Sequence, residues 1–141
     1  MQGTLFAGEP IKTQTVIFVC EHGSAKSVVA AAHFNRIAEK QKLNFHAISR
    51  GINPDAELAP AAIKGLQDDG VRLPSEKPKK LSNAEASNAV HVITFCDLPK
   101  DVQVQSMERW DVSPISEDYS KARDAILKKI DKLIQILKQK P

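Results

Sequence analysis

The chain has 141 residues, 42% of them apolar and 26% charged, with a formal net charge of +3. That length suits one domain spanning residues 1–141, and the composition excludes a disordered tract or a coiled-coil rod. No apolar run approaches the ~18 residues of a membrane span, and the opening MQGTLFAGEPIKTQ lacks the basic start and apolar core of a secretory leader. The expected address is therefore the cytoplasm, with residues 1–13 as a flexible or extended leading segment.

Thr15 to Cys20 reads TVIFVC, short and rich in β-branched residues, as in a strand covered on both faces of a parallel sheet. Glu21-His22-Gly23-Ser24-Ala25 breaks that run, and Lys26 to about Lys40 reads as a helix with Val28, Val29, Ala32 and Ile37 on its buried stripe. A second strand is expected over Leu43–Ser49, where Leu43, Phe45 and Ala47 alternate with polar neighbours. Ala59-Pro60 opens the next helix, because proline costs little in a first turn, and Gly70 closes it as a left-handed cap. Val71 to Leu73 reads as a short extended piece and Pro74 to Lys80 as a turn-rich connection.

Ser82-Asn83-Ala84-Glu85 has the spacing of a capping box. Val90 to Phe95 is the clearest later strand; a helical turn is expected within Val102–Trp110, then a short strand near Trp110–Val112. The last helix is expected from near Ser116 to about Gln139, with Ile126, Ile130, Leu133, Ile134 and Leu137 on one side. Its lysines, Lys121, Lys128, Lys129, Lys132 and Lys138, with Lys140 beyond, fall between those apolar residues and read as a solvated face, not a nucleic-acid surface. Strand and helix alternating in this rhythm argue for βαβ units and an open parallel sheet with helices on both faces. Ligands of such sheets bind beyond the carboxyl ends of the strands. That rule points to Cys20 and Cys96.

The loop Glu21, His22, Gly23, Ser24, Ala25, Lys26, Ser27 sits between a strand and a helix. Successive backbone N–H groups and the positive end of the helix dipole converge there, so an oxyanion is the natural guest. The same field favours the thiolate, which makes Cys20 a candidate nucleophile. Lys26 supplies a cation, Ser27 a hydroxyl donor, and Gly23 the freedom to turn tightly. The bland alternative is a strand-end thiol beside a simple turn. Within the loop, His22 reads either as a lining donor or as a solvent-facing side chain. No His/Cys spacing makes a metal site.

Cys-x5-Lys-Ser after VIFVC resembles the low-molecular-weight protein tyrosine phosphatase superfamily, which includes the thiol-dependent arsenate reductases. The resemblance continues through Ser49-Arg50-Gly51 with Asn53-Pro54, Ala59-Pro60-Ala61 to Asp69-Gly70-Val71, Val90 to Cys96-Asp97, and Trp110-Asp111-Val112-Ser113-Pro114. It implies a three-layer, flavodoxin-like α/β fold with a four-stranded parallel sheet and one oxyanion site. It implies Cys20 as nucleophile and Cys96 as a resolving thiol of the reductase branch. The departures are Lys26 where the family has Arg, Gly23 where it usually has Asn, and Ser113 where it has the acidic Asp before proline. Asp111, Glu117 and Asp118 are the nearby carboxylates. No third cysteine follows Cys96.

Three functions follow as expectations. The first is an arsenate reductase-like enzyme without a bound cofactor, regenerated by an external thiol or a thioredoxin-type protein. The second is a phosphatase acting on phosphotyrosine or a small phosphomonoester. The third is a non-catalytic oxyanion-binding or regulatory module. None calls for a nucleic acid or a membrane.

Overall fold

The computed structural model describes residues 13–139. The expected leading segment, except Thr13, and Lys140 lie outside the described residues. Four parallel strands form one sheet: β1 (Gln14–Cys20), β2 (Phe45–Gly51), β3 (His91–Thr94) and β4 (Met107–Arg109), in the spatial order β2-β1-β3-β4. The helices are α1 (Lys26–Lys40), α2 (Pro60–Asp68), α3 (Asn83–Asn88) and α4 (Tyr119–Gln139). This is the four-stranded parallel α/β architecture the sequence points to.

Alternation along β1 builds both layers. Val16, Phe18 and Cys20 join the larger cluster with α1, α2 and α4. Ile17 and Val19 join a smaller one with Leu81, Ala86, Ala89 and Val92, under α3 and the segment after β3. Phe18 anchors the larger core, with ring centroids 6.0 Å from Phe34 and 5.6 Å from Trp110. The five apolar residues named for α4 are all buried there, each worth on the order of 1.5–3 kcal/mol. The lysines of α4 lie between them on partly or fully exposed positions.

A polar cluster ties α1, α2 and α4 together. Tyr119 Oη donates to Asp69 Oδ2 at 2.8 Å, Arg123 Nη1 reaches Asp69 Oδ1 at 2.8 Å, and His33 Nε2 lies 3.4 Å from both Tyr119 Oη and Asp69 Oδ2. Burial works against the charged form of Asp69, but the Tyr119 hydroxyl and Arg123 outweigh it and hold the carboxyl below its usual range. Burial lowers the His33 value despite the pull of Asp69.

Several boundaries differ from expectation. β2 lies two residues later, because Gly51 continues the ladder opposite Cys20. Val71–Leu73 forms no strand; Gly70, at φ +70°, turns the chain into an irregular run there. The last strand is Met107–Arg109, not Trp110–Val112, and no helix occupies the stretch before it. Register explains the shift: Val92, Ile93 and Thr94 pair with Met107, Glu108 and Arg109, leaving Trp110 free to turn into the core. α4 begins at Tyr119 because Asp118 caps it, its Oδ1 accepting from Lys121 N at 3.1 Å. The capping box is present: Ser82 Oγ accepts from Glu85 N, and Glu85 Oε1 accepts from Ser82 N.

Candidate active site

Cys20 closes β1, and α1 starts six residues later, after Ala25, with no side-chain cap. The loop between them is held from outside by the chain that follows β2. The carbonyls of Cys20, Glu21, His22 and Ser24 accept from Ile52, Asn53, Asp55 and Ala59 N–H groups at 2.8–3.2 Å. With the carbonyls committed outward, the backbone N–H groups of residues 21–25 meet no acceptor among the described residues. Such a set of uncommitted donors at a helix start is an anion cradle.

Gly23 is the pivot. Its φ is +60°, and a Cβ there would lie 2.8 Å from Gly51 N and 2.9 Å from Gly51 Cα. The reciprocal Cβ on Gly51 would lie 2.8 Å from Gly23 N. The departure from the Asn of the resembled family is therefore a backbone-to-backbone contact in place of a side-chain anchor. The signal that locates it is a second glycine at the end of β2, which spacing alone did not connect with the loop.

Side chains complete the site. Ser27 Oγ lies 3.0 Å from Cys20 Sγ and accepts from Ser49 Oγ at 2.7 Å. With Ser49 donating, the Ser27 hydroxyl hydrogen is free to point at the sulfur. Ser24 Oγ donates to Asp55 Oδ2 at 2.7 Å, and Asn53 Nδ2 donates to Glu21 Oε2 at 2.5 Å. His22 turns to the same outer strut, its Nδ1 3.3 Å from Asn53 O and 3.5 Å from Asp55 Oδ1, with the side chain 61% exposed. Ser49, Asn53 and Asp55 were not singled out for the site from the sequence; they come from a distant stretch that only the β1–β2 pairing brings near.

A cavity of about 280 Å³ lies over the loop, lined by Cys20, Lys26, Phe95, Cys96, Pro114 and Ile115 among others. Both thiols are free and share it. Burial pushes the Cys96 thiol up, although the Thr94 hydroxyl, 3.6 Å from its sulfur, pulls the other way. Asp111 is not brought here. Its side chain is 90% exposed and pairs with Arg109 Nε at 3.5 Å. The segment after β4 contributes Pro114, Ile115 and Ser116 to the lining, while Asp118 is spent on capping α4. Among the described residues no group of three or more His, Cys, Asp or Glu side chains is placed to hold a metal ion. No helix among them is long and apolar enough to cross a membrane.

A family model described as low molecular weight phosphotyrosine protein phosphatase matches residues 15–140. No curated protein sequence matches the chain significantly. Among solved structures, arsenate reductase from Archaeoglobus fulgidus superposes with a TM-score of 0.70 at 26% identity, covering 85% of this chain and 98% of its own. A low molecular weight protein tyrosine phosphatase from T. tengcongensis gives 0.74 at 20% identity, covering 86% and 98%. The YwlE arginine phosphatase gives 0.76 at 21% identity, covering 89% and 97%.

Proposed function

We propose an arsenate reductase-like activity for this chain, which belongs to the low molecular weight phosphotyrosine protein phosphatase family. The observation that carries the reading is the pairing of Cys20 and Cys96 in one cavity over an anion-binding loop, with no carboxylate of residues 111–118 in its lining. Cys20 Sγ attacks arsenic of a bound dihydrogen arsenate; a sulfur–arsenic bond forms and one oxygen leaves as water, with arsenic still pentavalent. Cys96 Sγ then attacks Cys20 Sγ. The sulfur–arsenic bond breaks, its electron pair stays on arsenic, and the Cys96 proton passes to an oxygen of the departing arsenite. Arsenic gains two electrons and the two thiols become a disulfide. An external thiol or thioredoxin-type protein returns both to the reduced state.

The leaving oxygen of arsenate needs a proton as an alkoxide does, but dihydrogen arsenate carries two protons of its own, which suits a cavity without that carboxylate. The test is intact mass under non-reducing conditions. Arsenate should remove two hydrogens from the reduced protein, and Cys96→Ser should prevent it. Unchanged mass in the native protein sinks the two-cysteine reading. The second reading is a phosphomonoesterase forming a thiophosphate on Cys20, favoured by the phosphatases among the structural relatives. Turnover of p-nitrophenyl phosphate that is lost in Cys20→Ser would select it. Neither reaction, with phosphate still bound, would leave the non-catalytic binding module.

A further inference from the structure

A second, larger cavity of about 430 Å³ opens on the outer edge of β2, on the far side of the supports that hold Cys20. Its floor includes Val28 and Ala32 of α1 and Leu58, while Arg36 and Arg72 stand at its polar part. The other charges lining it are largely spent. Arg50 is bound by Glu85 at 2.7 Å and lies 3.8 Å from Glu76, Lys79 takes Glu76 at 2.8 Å, and Lys77 pairs with Glu57 at 3.2 Å. That leaves Arg72 and Arg36, whose Nη1 donates to Asp69 O at 3.3 Å, against Glu39, an excess of positive charge. Arg72 is exposed and makes no ion pair or side-chain hydrogen bond among the described residues.

The strand edge supplies a further donor. The Asn35 side chain covers Ala47 N–H and C=O at 2.7 and 2.9 Å, and Gly51 N–H and C=O pair with Lys79 O and Leu81 N at 2.8 and 2.9 Å. Two-residue alternation puts Ser49 on that same edge, between the two covered positions. Its carbonyl accepts from Arg50 Nη1 at 2.9 Å, but its N–H meets no acceptor among the described residues. Ser49 lines this cavity, and its hydroxyl is the group that donates to Ser27 behind Cys20. Gly23 of the anion loop lines it too. The volume is in the range of small-molecule sites, which combine apolar walls with a few aimed polar groups.

We propose that this cavity is a second binding site, for a small amphipathic anion, and that its occupancy alters the reactivity of Cys20 through the Ser49–Ser27–Cys20 chain. The apolar body lies on the Val28, Ala32 and Leu58 floor. The acceptor oxygens meet Arg36, Arg72 and the Ser49 N–H. The site is independent of which reaction Cys20 performs.

The probe is 2-naphthoate. In the presence of saturating inorganic phosphate, which fills the Cys20 loop, it should cause saturable amide shifts in 15N spectra at Ser49, Arg72 and the Asn35 side chain. Arg72→Ala, an exposed change, should weaken that binding at least fivefold. In Cys96→Ser protein without phosphate, saturating 2-naphthoate should change the rate of Cys20 alkylation by iodoacetamide at least twofold, and Arg72→Ala should abolish the change. Absence of saturable shifts at those amides, or equal affinity in Arg72→Ala, overturns the site. An alkylation rate that does not respond, or responds equally in Arg72→Ala, overturns the link to Cys20.

Discussion

Three glycines separate two costs that usually arrive together. Gly70 has φ +70° and open space where a Cβ would go. Gly51 has ordinary φ but would place a Cβ 2.8 Å from Gly23 N. Gly23 has both problems, with φ +60° and a Cβ 2.8 Å from Gly51 N. A left-handed non-glycine residue costs roughly 1–2 kcal/mol, offset by about 0.4–1 kcal/mol because alanine restricts the unfolded chain. Gly70→Ala should therefore cost about 0–1.5 kcal/mol. Overpacking typically costs about 1–3 kcal/mol, and here the struck atoms are backbone on both sides, so Gly51→Ala should fall near the upper part of that range. Gly23→Ala carries both terms and should cost about 2–4 kcal/mol. Urea unfolding gives the three values, and calorimetry with phosphate gives the second readout. Phosphate affinity should fall in Gly23→Ala and Gly51→Ala, because the loop must move off β2, and stay unchanged in Gly70→Ala. A Gly23→Ala protein as stable as Gly70→Ala, with full phosphate affinity, would refute the claim that the loop is seated on Gly51.

Lys26→Arg should tighten phosphate or sulfate binding several-fold, since a planar fork grips two oxygens where an ammonium is a point charge; weaker binding in calorimetry would mean the loop is shaped for lysine. His33→Gln should flatten part of the stability curve between about pH 7 and the acid limb. Burial depresses the folded His33 value below the ordinary 6.5, so the unfolded chain binds the proton first and stability falls as the pH drops through that window. An identical slope in both proteins, measured by urea midpoint against pH, would remove His33 as its source. Ser113→Asp restores an acid before Pro114, which lines the Cys20 cavity, and should raise p-nitrophenyl phosphate turnover by about 10²-fold; no increase would mean that residue 113 cannot reach the leaving group.

What was legible in the sequence follows physical locality. β1 is marked by its run of β-branched apolar residues, α1 by its buried stripe, and the loop between them by Cys20, Gly23, Lys26 and Ser27, all within one short stretch. The capping box at Ser82 and the turn at Gly70 are likewise local signals, and both are where the sequence puts them. The misses depend on pairing across the chain. β2 and β4 are bounded by which residues oppose β1 and β3, and no periodicity within seven or three residues carries that information. Ser49, Asn53 and Asp55 brace the loop from 22 to 31 residues away in sequence. Asp111 looked available because it is close to Ser113 in the chain, but alternation after β4 sends Trp110 inward and Asp111 out to Arg109.

The substitutions that set this chain apart from the family it resembles act on different steps. Gly23 leaves the anion loop anchored, by backbone contact with Gly51 in place of a side chain. Ser27 and Ser49 still line up behind the Cys20 sulfur. Lys26 keeps the loop's positive charge while giving up a bidentate grip. The departure that bears on the reaction class is Ser113, because binding and nucleophilic attack use the loop alone, whereas expulsion of an alkoxide or phenolate needs a proton delivered from the opposite wall. That wall here offers Pro114, Ile115 and Ser116 on one side and Phe95 and Cys96 on the other. Burial pushes the Cys96 thiol up, so its sulfur becomes a nucleophile for Cys20 Sγ only as the proton leaves it. The reductase reading proposed above rests on that combination: an anion cradle and a nucleophile kept, Ser113 in place of the acid, and a second thiol in the same cavity.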